Sequence, residues 1–254
     1  MTIETYGNER RLRSAAMLLR GDNSLSEKNF ILLPIPTTKD GQYIKGTSLR
    51  LDEALSTADE STLVVGYSLP DCFADEAKGL GAKVLDLSGD EKFLSENAHI
   101  TAIGALIDIF SGETRAPRDT KIGIMGYGRI GKELVRLLLF AEGEVRVYTS
   151  SPSTCFSLCE FGIDALCVPR FGGEMLDTSD LDYFINTAPR DLSALLPKRP
   201  TSKLVELASG DNFCGIEGVK RLPSVPENIL PESGGRAIFS AIKRYIRQSE
   251  ERGG

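Results

Sequence analysis

The sequence predicts an α/β protein, a doubly wound parallel sheet with a smaller α/β domain at its N-terminal side. Three observations carry that prediction. Short apolar runs alternate with longer amphipathic segments along most of the chain, which is the pattern of strands and helices in layered α/β folds. One strand-loop-helix-strand stretch of about thirty residues has the length of a single βαβ unit. The composition is ordinary for a globular chain of 254 residues, with 41% hydrophobic and 26% charged residues.

In chain order, Arg11–Leu19 reads as an amphipathic helix, and Phe30–Pro34 and Thr62–Gly66 read as buried parallel strands. A helix follows Pro70, and Lys83–Leu87 reads as a third strand. Asn97–Phe110 reads as a longer apolar helix, and the polar stretch Ser111–Thr120 marks a domain boundary. The expected division is residues 1–96 as an N-terminal α/β domain, 97–114 as a linking helix and 115–232 as a dinucleotide-type domain. The remaining segment, 233–254, holds a final helix near Ser233–Gln248 that could cross back onto the first domain.

The second domain opens with a strand at Lys121–Met125, passes through Gly126-Tyr127-Gly128-Arg129-Ile130-Gly131, and continues as a helix over Arg129–Ala141 before the strand Glu144–Tyr148. A Gly-x-Gly-x-x-Gly pattern is weak alone, but between a strand and a helix it has the context a dinucleotide loop requires. Gly126 permits the tight turn, Gly128 lets the backbone approach a pyrophosphate, and Gly131 lets helix and strand pack closely. Arg129 and Ile130 lie in the first turn, where unpaired N–H groups and the helix dipole attract an anion. This is a Rossmann-type reading. Further strands are expected at Ala165–Val168, Tyr183–Asn186 and Lys203–Leu207, with helices near Ser153–Phe161 and after Arg190.

Cofactor choice is read at the end of the second strand of this domain, where NAD-specific proteins place an Asp or Glu. Here stand Thr149, Ser150 and Ser151, three hydroxyls and no carboxylate. That pattern favours NADP, with NAD left open.

Composition excludes several function classes. A formal net charge of −6 argues against nucleic acid, whose phosphates need clustered Lys and Arg. No run of about twenty apolar residues is present, so no membrane span is expected, and with no signal peptide in view a cytoplasmic location is expected. The five cysteines, Cys72, Cys155, Cys159, Cys167 and Cys214, have no metal-type spacing and are read as reduced, mostly buried thiols. His99 is the only histidine, so no metal site is expected, nor a Ser-His-Asp triad; it reads as a packed or surface residue.

Six segments, in order, resemble the A-subunit family of dipicolinate synthase from spore-forming bacteria, distant relatives of the D-2-hydroxyacid dehydrogenase fold. Tyr6-Gly7-Asn8-Glu9-Arg10 is similar to the family's Gly-Gly-Asp-x-Arg opening, and Leu33 to Gly41 to its Leu-Pro-x-Pro-x-Thr-Lys-Asp-Gly segment. Asn97 to Gly104 resembles the head of its linking helix. Asn186-Thr187-Ala188-Pro189, Glu206-Leu207-Ala208-Ser209 and Pro223 to Gly235 resemble three later segments.

The resemblance implies an NADP-dependent oxidoreductase that makes dipicolinate from a dihydro or tetrahydro precursor, paired with a flavoprotein-like second subunit; a homo-oligomer is expected as well. It implies cofactor contacts from Asn186, Thr187, Ala188 and Pro189. Lys39 and Arg10 lie where a cleft between the domains would offer two cations to a small dicarboxylate. Asn97 and Thr101, one helical turn apart, either face that cleft or serve as a helix cap and a packed residue. Ser209, at a strand end, is a candidate nicotinamide or substrate contact.

The sequence departs from the family pattern at Asn8, which replaces Asp, and at Ile103, which replaces Glu. An alternative is therefore open, a regulatory or non-catalytic subunit that binds cofactor without turnover. Oxidation of a 2-hydroxy acid is disfavoured, because Ala208-Ser209-Gly210 lacks the Arg of those enzymes and no histidine follows His99.

Overall fold

A computed structural model describes residues 1–169 and 173–253 of the chain. In chain order the regular elements are β1 (Ile3–Thr5), α1 (Arg10–Arg20), β2 (Asn29–Leu32), β3 (Thr62–Gly66), α2 (Asp71–Gly79), β4 (Lys83–Asp86) and α3 (Glu91–Phe110). They continue as β5 (Lys121–Met125), α4 (Arg129–Phe140), β6 (Glu144–Thr149), α5 (Pro152–Glu160), β7 (Asp164–Cys167), β8 (Tyr183–Asn186), β9 (Lys203–Glu206), β10 (Val219–Arg221), α6 (Val225–Asn228) and α7 (Pro231–Gly253). The chain divides into two compact units, Met1–Asn97 with Pro226–Gly254 as the first and Ala98–Val225 as the second.

The first unit holds a four-stranded parallel sheet in the order β1-β2-β3-β4. All five residues of β3 are buried, as expected of a strand covered on both faces. Ile31, Val64, Phe73 and Ala77 build the core between sheet and α2. α7 packs on α1 in this unit. The approach is close because a glycine faces α1: a Cβ on Gly235 would stand 2.5 Å from Ser14 Cβ and 2.7 Å from the Arg11 carbonyl oxygen. Ala237, Ile238, Ala241 and Ile242 of α7 and Ala15 and Leu19 of α1 are fully buried.

The second unit holds six parallel strands in the order β10-β9-β8-β5-β6-β7. Read from the β7 edge, this is the doubly wound order in which the chain starts at the centre, builds one half, and returns to build the other. Ile122, Ile124, Val147, Ile185 and Val205 from the strands meet Leu134, Val135 and Leu138 of α4 in one core. The α/β class with a Rossmann-type doubly wound sheet is what the structure shows.

Several boundaries differ from expectation. α3 starts at Glu91 rather than Asn97, because Asp90 accepts a hydrogen bond from the Phe93 N–H (2.9 Å) and caps the helix well over a turn earlier. Asn97 therefore lies inside the helix and is not its cap. The segment after Arg190 forms turns, with no helix among the described residues. Strands β1 and β10, only three residues each, pair at sheet edges and carry too little pattern to be read. The cysteines are not mostly buried: Cys72, Cys159, Cys167 and Cys214 are exposed and Cys155 is half-buried, and for Cys167 the reason is that β7 is an edge strand. Among the described residues, no helix is long and apolar enough to cross a membrane.

Candidate functional site

The sheet of the second unit reverses direction of build between β5 and β8, and ligands of doubly wound sheets bind beyond the strand ends at that switch point. The glycine loop lies there. Gly126 has φ of +94°, a conformation glycine adopts without steric cost, and its N–H donates to the Tyr148 carbonyl (2.8 Å) to start the turn away from β5. Gly131 lies under the turn, where a Cβ would meet the Gly126 carbonyl oxygen at 2.2 Å. The close packing assigned to Gly131 is thus against the loop itself.

Gly128 caps α4 without any side-chain hydrogen bond, and a Cβ there would meet no protein atom within 4 Å. The first N–H groups of a helix have no partner in its own ladder, which here begins with Lys132 donating to the Gly128 carbonyl (2.9 Å). Arg129 is exposed and Ile130 is half-buried against the core. A backbone cradle open above Gly128, at the positive end of a twelve-residue helix, fits a pyrophosphate.

The loop after β8 is bonded to the loop after β5. The Thr187 hydroxyl donates to the Met125 carbonyl (2.9 Å) and the Thr187 N–H donates to the same oxygen (2.9 Å). Ala188 and Thr187 are half-buried and Pro189 is exposed at the rim. Asn186, expected among the cofactor contacts, is fully buried and touches other protein groups. Its amide donates to Glu206 (2.9 Å) and its carbonyl accepts from the Ala188 N–H (3.0 Å). Glu206 also accepts from the Ala208 N–H (3.0 Å), so one carboxyl ties the loops after β8 and β9 together. Burial pushes the Glu206 carboxyl above its ordinary value, with hydrogen bonds from Asn212, then Asn186 and the Ala208 N–H, opposing. Ser209, beside this network, is exposed.

At the ribose edge the three hydroxyls are not equivalent. Thr149 is buried and its oxygen accepts from the Ser151 N–H (3.2 Å). Ser151 caps α5 by accepting from the Thr154 N–H (3.2 Å), and only Ser150 is exposed. The expectation of three equally available donors is therefore corrected: Thr149 and Ser151 shape the turn and Ser150 presents the exposed group.

In the first unit, Arg10 and Lys39 are both exposed. Arg10 donates to the Asn228 carbonyl at 3.4 Å. The buried cation of the opening motif is its neighbour Arg11, which pairs with Glu9 (2.8 Å) and donates to the Ile35 carbonyl (2.9 Å). Lys45 completes the cluster on Glu9 at 2.7 Å. Sequence reasoning missed this cluster, although the alternation of buried positions in α1 could have pointed to Arg11. Thr101 is buried in α3 and Asn97 is half-buried. His99 is a surface residue whose Nδ1 lies 2.8 Å from a Glu133 oxygen, and Arg136, then His99, hold the Glu133 carboxyl below its ordinary value.

By sequence, no family model matches this chain and no curated protein matches it. Solved structures do. The A chain of dipicolinate synthase from Bacillus subtilis aligns with a TM-score of 0.71 at 15% identity, covering 99% of this chain and 97% of the other. The dipicolinate synthase A protein from Bacillus halodurans aligns with a TM-score of 0.66 at 16% identity, covering 96% and 97%. The fold is that of the dipicolinate synthase A chains. The same architecture extends to a transhydrogenase from Sinorhizobium meliloti, with a TM-score of 0.59 at 14% identity over 96% of this chain and 91% of the other.

Proposed function

We propose that this chain is a nicotinamide-dinucleotide-dependent oxidoreductase of the dipicolinate synthase A type, with NADP as its cofactor. The observation that carries the reading is the cradle formed by Gly126, Gly128 and Gly131 at the head of α4, placed at the switch point of a doubly wound sheet. The whole-length likeness to two dipicolinate synthase A chains supports the choice of subclass.

A bound nicotinamide supplies the hydride acceptor. The cradle N–H groups would hold the pyrophosphate, Ser150 would serve the ribose edge, and Thr187, Ala188, Pro189 and Ser209 would border the nicotinamide side. A dihydropyridine dicarboxylate loses a hydride from a ring carbon and a proton to solvent, and the product ring becomes aromatic. A tetrahydro precursor requires two such oxidations. Aromatisation supplies the driving force, so the chain's task is orientation of the substrate and exclusion of water, without a poised histidine base. Arg10 and Lys39 are the proposed cations for the two carboxylates. A flavoprotein-like second subunit and a homo-oligomeric assembly complete the proposal.

Ile103 favours a second reading. It places an apolar, half-buried side chain where the resembling family has Glu, and a chain lacking an essential acid there would bind cofactor in a regulatory role without turnover. The experiment that decides is calorimetric titration with NADP and NAD, followed by an absorbance assay for dipicolinate and reduced nicotinamide, with and without a flavoprotein-like second subunit. Cofactor binding with dipicolinate formation is expected. Binding without turnover under both conditions would favour the regulatory reading, and failure to bind either nucleotide would remove both.

A further inference from the structure

A cavity of about 320 Å³ lies between Tyr127 of the glycine loop, the first turns of α4 and one face of α5 that runs from Ser153 to Phe161. Its lining residues include Tyr127 and Phe161 and the hydroxyl-bearing Ser153, Thr154 and Ser157. Among the described residues its one charged group is Lys132, and no carboxylate lines it. Lys132 is the fourth residue of α4, exposed, with its ammonium 5.6 Å from the centre of the Tyr127 ring, a cation-π distance that holds the charge toward the loop. The Ser153 hydroxyl, of a residue lining the cavity, lies 3.0 Å from that of Ser151 in the turn that follows β6.

We infer that this cavity is a phosphomonoester subsite, with Lys132 as its cation, and that it selects the 2′-phosphate of NADP. The inference rests on the dinucleotide reading above, since the ribose of a dinucleotide lies at the end of β6. A phosphomonoester carries nearly two negative charges at neutral pH, and such an anion needs a cation and several donors. Thr149 is buried and Ser151 is committed to its cap, so the strand end supplies no positive charge. Lys132 brings one from the adjacent helix, and lysine binds phosphate as a point charge without requiring the fork geometry of arginine. Ser153 and Thr154 supply hydroxyls at the start of α5, and the hydroxyl of Ser150 is exposed on the same turn. Lys132 is thus a specificity residue, in a place that a search confined to the strand end overlooks.

The test uses the full chain and two fragments that differ only in the phosphate, 2′,5′-ADP and 5′-ADP, together with NADP and NAD. Affinities are measured by calorimetry for the natural chain and for Lys132→Gln. The natural chain is expected to bind 2′,5′-ADP and NADP at least tenfold more tightly than 5′-ADP and NAD. Lys132→Gln should cut that preference about tenfold while leaving 5′-ADP affinity unchanged, which also shows that the variant is folded. An unchanged preference in Lys132→Gln, or equal affinities in the natural chain, overturns the subsite and leaves the dinucleotide reading standing. Failure of the natural chain to bind any of the four ligands overturns the dinucleotide reading, and the subsite with it.

Discussion

The glycine loop of the second unit and the opening motif of the first are built on different principles. The loop is a site made of backbone, in which Gly126 takes a positive φ and Gly131 stands where any Cβ would strike the Gly126 carbonyl. The opening motif is made of side chains, with Arg11 and Lys45 converging on Glu9 and all three groups tied to the Ile35 backbone. A backbone site is specified by residues adjacent in sequence. A side-chain cluster joins positions 9, 11, 35 and 45, and its neighbouring arginine, Arg10, has the same charge with a different fate. A motif made of local geometry can therefore be read from sequence, whereas one made of charges needs to be placed.

The largest expected effect falls on the side-chain cluster. Glu9→Ala leaves Arg11 buried without its counter-charge, and breaking a buried pair in this way costs about 3–5 kcal/mol. Thermal unfolding should show a large drop in midpoint for Glu9→Ala and a much smaller one for Arg10→Ala. Comparable losses in the two variants would break the distinction between the buried and exposed arginines.

The loop is tested by a pair of glycines. Gly131→Ala puts a Cβ against backbone and should cost about 1–3 kcal/mol in stability as well as dinucleotide binding. At Gly128 a new Cβ meets no protein atom within 4 Å, so Gly128→Val should change stability little while nucleotide affinity falls at least tenfold. Calorimetry for binding and denaturation for stability separate the two roles. Equal destabilisation by both changes would show that Gly128 is needed for folding alone.

A smaller effect sharpens the comparison within the second unit. Burial raises the Glu206 carboxyl above its ordinary value, so the folded chain retains a proton that the unfolded chain releases. Its contribution is fully present below the unfolded carboxyl value and is lost as pH rises through the raised folded value, so stability falls across that window. Glu206→Gln keeps a neutral group on Asn186 and should flatten this slope relative to the natural chain. Parallel stability curves for the two proteins would show that Glu206 does not titrate there.

The smallest effects are expected at the exposed cations. Arg10→Ala and Lys39→Ala should each change stability by about 0.5 kcal/mol or less, yet weaken dipicolinate binding measured at saturating NADP. Equal dipicolinate affinity in all three proteins would remove both residues from the substrate proposal.

Amphipathic period and glycine placement are enough to read the α/β class, the βαβ unit around residues 121–149 and the tight turn at Gly126, because each depends on contacts within a few residues. The start of α3 is not legible in the sequence, since the cap at Asp90 lies outside the apolar stretch that suggests a helix. The Asn186-Thr187-Ala188-Pro189 segment was legible as a strand-end loop, but only packing showed that Asn186 turns inward to Glu206 while Thr187 turns to the glycine loop. Lys132 carries no motif of its own. Its place in the cavity with Tyr127 and Ser153 arises because the head of α4 and one face of α5 line the same cavity. Turns, caps and periodic faces are written in adjacent residues, so the one-dimensional pattern fixes them. Which polar side chains are buried, paired or presented depends on neighbours distant along the chain, and it is settled when the sheets and helices pack.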